Sequence, residues 1–217
     1  APLVGLRGEY KRSPFDLYED GSRVAEPRVK VGHIEGFLGF GIGYSMALGA
    51  VLKFEGVETD GAELVPDWSA EDRTYFTLAG VLQVDTRDRL VFPRSGVQVL
   101  GKTEWGDGAV TSDGGGFSHH VLDVDAAIPI SSRISLRGRA LAGTSDGADL
   151  PSHYLFFIGG ANRFFLYPDR HFSFMGQRVM ESRGRHIQML DVGIQWEVAP
   201  DLFALARWNT AALPDEW

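Results

Sequence analysis

Two segments of this chain, Tyr75 to Asp85 and Val97 to Trp105, alternate apolar and polar side chains on either side of a charged, proline-kinked turn, Thr86-Arg87-Asp88-Arg89-Leu90-Val91-Phe92-Pro93-Arg94-Ser95-Gly96. A period of two marks a strand whose two faces meet different surroundings. Each flank is close to the roughly 9 to 11 residues that a tilted strand needs to cross a bilayer. The chain contains no unbroken apolar run of about 18 residues, so any crossing of a membrane is made by strands rather than helices.

Roughly nine segments fit the same template. They are Leu3 to Lys11, Arg28 to about Gly41, Met46 to Glu55, Tyr75 to Asp85, Val97 to Trp105, His120 to Ile128, Ile134 to Ala142, His186 to Val198 and Leu202 to Asn209. The links between them alternate in length. Compact ones fall at Gly43-Tyr44-Ser45, Phe92 to Gly96, Pro129 to Arg133 and Ala199-Pro200-Asp201; long polar ones run from Arg12 to Pro27, Gly56 to Thr74, Gly106 to Ser118 and Gly143 to Arg185. Short turns on one rim and long loops on the other are what outer-membrane barrels show. The expected fold is therefore all-β: an antiparallel up-and-down transmembrane β-barrel, incomplete, with about nine strands of a larger barrel in one domain over residues 1–217. Periodicity alone leaves open which face is wet, and a soluble β-sandwich or lipocalin-like barrel alternates equally well.

In the membrane reading the polar faces line a lumen. They place Asp123, Asp125, Arg137, Arg139, Asp191, Arg207 and Asn209 inside. A hairpin turning about Ser131 would set Asp125 opposite Arg137 and Asp123 opposite Arg139, a favourable cross-strand arrangement. Tyr10, Trp105, Trp196 and Trp208 lie towards strand ends, where amphipathic rings favour the membrane interface. Partners follow from the same reading: outer-membrane lipid is expected, and nucleic acid is not, because 29 acidic against 21 basic residues give a net charge of -8 where phosphate binding needs a basic footprint.

Catalytic and metal chemistry find little footing. Gly43-Tyr44-Ser45-Met46-Ala47 approaches a nucleophile elbow but ends in alanine outside any strand-to-helix pattern, so Ser45 reads as a turn residue. His119 and His120 are neighbours on a strand and point to opposite faces, and His153, His171 and His186 lack a carboxylate or cysteine framework. Gly114-Gly115-Gly116 lacks the lysine and helix of a phosphate loop. No cofactor, metal ligand or catalytic residue is assigned. The segment His153-Tyr154-Leu155-Phe156-Phe157-Ile158-Gly159-Gly160 is the best functional candidate, since its apolar cluster asks to be buried in the lumen or on the barrel wall.

The turn Asp85, Arg87, Asp88, Phe92, Pro93 and Gly96 resembles the D-x-R-D … F-P-x-x-G turn of the bacterial surface antigen superfamily, outer-membrane barrels that insert other barrels or secrete partner proteins. Gly159-Gly160 after an aromatic run resembles that superfamily's lumen-folded loop. Within it the chain is most similar to the barrel of patatin-like phospholipase autotransporters. The resemblance implies an outer-membrane barrel of a Gram-negative bacterium, serving as translocator or anchor for a passenger or fused lipase domain and carrying no chemistry of its own. It also implies strands missing at both ends. The rival within the superfamily is a barrel for outer-membrane protein assembly or two-partner secretion. Those members carry Val-Arg-Gly-Phe or Tyr in the loop, with the arginine meeting Asp-x-Gly on a later strand. Here the matching positions hold Phe164-Phe165-Leu166-Tyr167 and Asn209-Thr210-Ala211; only Tyr167 keeps its aromatic place, and Arg163 or Arg170 is left to restore the inward charge.

Overall fold

The computed structural model describes residues 1–14, 17–19, 22–60, 72–107, 115–148, 150–160 and 169–214. Its strands are β1 (Pro2–Pro14), β2 (Leu17–Glu19), β3 (Ser22–Ala25), β4 (Arg28–Ile42), β5 (Met46–Asp60), β6 (Asp72–Asp85), β7 (Gly96–Asp107), β8 (Gly116–Pro129), β9 (Ile134–Gly147), β10 (Phe156–Ile158), β11 (His171–Phe172), β12 (Ser182–Gly184), β13 (His186–Ala199) and β14 (Leu202–Ala212). Nine form one sheet in the order β1-β4-β5-β6-β7-β8-β9-β13-β14, each strand antiparallel to its neighbours. Among the described residues β1 and β14 end the sheet without pairing to each other. The architecture is an up-and-down barrel wall that does not close on itself.

All nine expected segments are strands of this sheet, and most run further on the long-loop side. β5 continues to Asp60 and β9 to Gly147, past Glu55 and Ala142 where the apolar alternation stops. Above the apolar band both faces are polar, as at Glu58, Thr59 and Asp60, so the pattern fades while the backbone ladder goes on. A cross-strand ion pair, Lys30 to Glu58 at 2.6 Å, accompanies that extension.

The sidedness is inverted relative to a soluble protein. Leu6 is 82% exposed, and Val4, Ile34, Leu38, Phe40, Leu48, Leu52, Ile128 and Ile194 also stand outward, whereas Lys53, Glu55, Thr77, Glu104, Arg139, Asp191 and Gln195 are buried on the concave face. In water this would expose the apolar surface that drives folding and bury charge at a cost of several kcal/mol per ion. In a bilayer the apolar face meets acyl chains and the polar face an enclosed lumen. The soluble alternative fails on this point.

Two local expectations need correction. The β8–β9 ladder pairs Asp125 with Arg139 and Asp123 with Leu141, a register two residues from that of a turn centred on Ser131. The cause is the turn itself: Ile130 and Ser131 both donate to the Ile134 carbonyl, and Ser131 Oγ accepts from the Arg133 and Ile134 amides, which moves the apex past Ser131. The ion pairs survive on the diagonal, Arg137 to Asp125 at 3.0 Å and Arg139 to Asp123 at 2.6 Å, because a guanidinium reaches one residue pair along the strand. Trp208 sits opposite Val192 in the middle of β13, since β14 runs on to Ala212. It belongs to the apolar band rather than to a rim. Tyr10, Trp105 and Trp196 also face outward and are exposed.

Candidate functional site: a lumenal loop docked on a charged wall

Between β9 and β13 the chain turns into the lumen. Pro151 leads into a single 3-10 turn, Ser152–Tyr154, and then β10 becomes the centre of a small sheet, parallel to β11 and antiparallel to β12. The sequence explains the folding-in: Tyr154, Phe156, Phe157 and Ile158 are all buried, in two apolar clusters with barrel residues. One gathers Val29, Val31, Val57, Tyr75 and Phe117 around Tyr154 and Phe157; the other gathers Leu141, Ile187 and Met189 around Phe156, Ile158 and Phe172. Gly159 and Gly160 end β10 with φ of 131° and 75°. A Cβ at Gly159 would lie 1.8 Å from the Arg178 carbonyl oxygen, which is why this corner takes glycine.

The facing wall is charged. β5 presents Lys53 and Glu55, β6 Thr77, β7 Lys102 and Glu104, and β8 His119; the loop brings His153, Tyr154, Asp169 and Arg170. Lys53 Nζ donates to the Tyr154 hydroxyl at 2.7 Å, and that hydroxyl donates to Glu104 Oε1 at 3.0 Å. Thr77 Oγ1 donates to the same carboxylate at 2.7 Å. His153 Nε2 and Glu55 Oε1 share a hydrogen bond of 2.9 Å. Lys102 bridges Asp169 at 2.7 Å and Glu104 at 2.6 Å. The Arg170 guanidinium carbon lies over the Tyr154 ring, 3.3 Å from its centroid, and the side chain donates to the His153 carbonyl at 3.2 Å and stands 3.7 Å from Glu104. Three cations, Lys53, Lys102 and Arg170, thus face three carboxylates, Glu55, Glu104 and Asp169.

The electrostatics of the loop groups follow from this balance. Burial alone would raise the Asp169 carboxyl, but Lys102, Arg170 and His119 hold it well below the usual range. Burial alone would lower the Arg170 pKa; Tyr154, Asp169 and Glu104 raise it instead. His171 is pushed down to about 3 by burial first and then by the Arg170 charge, so its ring stays neutral.

Arg170 occupies the centre of this site; Arg163 and Tyr167 lie outside the described residues. The remaining lumenal residues form a second tier. Arg207 Nε donates to Asp191 Oδ1 at 3.2 Å, Asn209 stands opposite Asp191, and Arg137 also reaches Gln195 at 3.2 Å.

The β6–β7 turn is a separate structure at the short-turn rim. Arg87 clamps Asp85 with two bonds of 2.9 and 2.7 Å, and Asp88 Oδ1 accepts from the Arg94 and Ser95 amides. Gly96 adopts a φ of 102°. The turn then crosses the mouth of the lumen: Phe92 stacks on Phe203 at 4.7 Å, Gln195 donates to the Phe92 and Pro93 carbonyls at 3.2 and 3.3 Å, and Arg94 meets Glu197 at 3.6 Å.

The sequence pattern put Lys53, Glu55, Lys102 and Glu104 on polar faces without singling them out. Their closeness to the loop is a product of the tertiary fold. Their signal was available only in part, as charges two apart in strands otherwise rich in apolar residues.

A wall of outward apolar and inward ionic side chains, plugged by its own loop, defines a membrane β-barrel of the outer-membrane type. Residues 38–216 match the family model of the OMP85 superfamily, and the chain belongs to that superfamily. Among solved structures it is similar to BamA from Haemophilus ducreyi lacking POTRA domains 1–3, with a TM-score of 0.70 and 12% identity over 97% of this chain and 46% of that one. The chain thus spans about half the length of that structure. No curated protein matches it in sequence.

Proposed function

We propose that this barrel is the translocator or membrane anchor of a patatin-like phospholipase autotransporter. The observation that carries the reading is the docked loop, whose Asp169 and Arg170 join Lys53, Glu55, Lys102 and Glu104 of the wall in a charge-balanced cluster of three cations and three carboxylates. Such a plug closes the lumen at rest and releases only when a set of mutually satisfied charges is broken. The wall supplies the anchor, because its apolar band matches the bilayer and resists extraction. The choice of passenger rests on the loop's departure from Val-Arg-Gly, since the β6–β7 turn is common to the superfamily.

A barrel for outer-membrane protein assembly or two-partner secretion is the second reading, favoured by membership of the OMP85 superfamily. Peptide mapping of the native polypeptide that carries this sequence, with a phospholipase assay on the purified protein, separates the two. A continuous lipase domain with activity on phospholipid is expected. Finding no lipase, together with accelerated insertion of other barrels into liposomes, would replace this reading with the second.

A further inference from the structure

A cavity of about 620 Å³ opens on the long-loop side, between the β2–β3 hairpin and the lumenal loop. Its lining includes Tyr18, Ser152, Glu181, Ser182, Arg183 and Arg185. Most arginines along the lumen, Arg87, Arg137, Arg139, Arg170 and Arg207, engage a carboxylate. Arg183 and Arg185 differ. Among the described residues neither guanidinium has a hydrogen bond or ion pair, although acids outnumber bases in the chain by 29 to 21.

The backbone that presents them is held on both sides. Arg183 sits in the β10–β12 ladder opposite Phe157, and the Arg185 carbonyl accepts from the Ser145 amide of β9 at 2.8 Å. The half-buried Arg183 and the exposed Arg185 line one cavity, so both can reach an anion held there. Glu181 is the lining's carboxylate; one of its oxygens already accepts the Arg178 amide at 2.5 Å, and it makes no ion pair with either arginine. Arg178 lies 5.8 Å from the Tyr18 ring centroid and adds further positive charge near the rim.

We infer that this cavity binds a saccharide bearing an anionic group, phosphate or carboxylate. The two guanidinium groups take the anion, for which their planar fork is suited. Glu181 and the serine hydroxyls take sugar hydroxyls. Tyr18, with Leu150 and Leu155 beside it, gives the ring an apolar wall. The volume lies within the roughly 300 to 1,000 Å³ range of small-ligand sites and exceeds what a bare inorganic ion fills. The same chemistry is offered by a soluble sugar acid or sugar phosphate and by the phosphorylated sugar headgroup of a membrane lipid.

Two titrations of the membrane protein distinguish these sources. In detergent, glucose 1-phosphate is titrated calorimetrically against glucose and inorganic phosphate. In nanodiscs, a lipid with a phosphorylated glucosamine headgroup is compared with the same lipid lacking phosphate. Binding of the phosphorylated sugar at least about tenfold tighter than both controls, weakened about tenfold or more by R183Q/R185Q but not by R89Q, is expected. Success in detergent assigns a soluble ligand, and success only in nanodiscs assigns the lipid. Equal binding of charged and neutral sugars in both settings, or wild-type affinity in R183Q/R185Q, overturns the inference. Should the double variant fold poorly, R185Q alone and the salt dependence of the wild type serve instead: affinity that does not fall between about 20 and about 500 mM NaCl, where salt screens exposed charge, also overturns it.

Discussion

Removing the Arg170 charge is the sharpest test of the docked loop. The guanidinium is buried, stacked on Tyr154, bonded to the His153 carbonyl and close to both Glu104 and Asp169. R170M keeps much of the side-chain volume and leaves two cations facing three carboxylates. Taking one partner from a buried ionic cluster costs about 3 to 5 kcal/mol, which corresponds to a shift of about 10² to 10³ or more in the docking equilibrium. Part of that cost is spared because Lys102 still reaches both Asp169 and Glu104, so the lower end applies. The readout is hydrogen exchange at the Phe157 and Gly159 amides, which donate to the Arg170 and Phe172 carbonyls and are protected only while the small sheet is formed. Their protection should fall about 100-fold while the amides of β5 to β8 hold theirs. R170K should recover part of it, since charge returns without the plane that covers Tyr154. Protection within about threefold of wild type in R170M would refute the claim that this charge holds the loop.

Acid should release the same loop. Undocked, the His171 ring titrates near 6.5; docked, it stays neutral down to about 3, so docking is undiminished above pH 6.5 and weakens by about 1.4 kcal/mol per unit below it. Asp169, whose carboxyl is lowered by Lys102, Arg170 and His119, adds its own loss only below the ordinary aspartate value of 3.8. Dipolar EPR between nitroxides at M175C and L136C should report a growing undocked population from pH 7 to 5, with a shallower slope in H171Q; identical slopes would count against the histidine. G159V forces a side chain into the Arg178 carbonyl at a positive φ and should cost more than about 2 kcal/mol, exposing the loop to trypsin, whereas wild-type resistance would contradict the steric reading. D88A removes the acceptor of the Arg94 and Ser95 amides at about 1 kcal/mol; faster exchange of those two amides is expected, and unchanged exchange would show that the turn stands without Asp88.

The sequence by itself determined the strands and which side chains share a face, while which of the two faces is wet came from the burial in the folded sheet. Alternation such as Leu122, Val124 and Ala126 against Asp123 and Asp125 fixes which side chains share a face, because successive Cβ atoms point oppositely along any strand. The order of short and long links then fixed the meander. It did not determine register to the residue: the β8–β9 turn depends on hydrogen bonds of Ser131 and Ile134, and a shift of two leaves the facing pattern intact while changing every partner. Nor did it determine the site. Lys53 and Tyr154 are 101 positions apart and Thr77 and Glu104 are 27 apart, and no local pattern records which charges meet across a curved sheet. Only the tertiary structure decided that, because burying the aromatic run of the loop against the inner wall brings its arginine and aspartate to carboxylates and lysines that the strands had already turned inward.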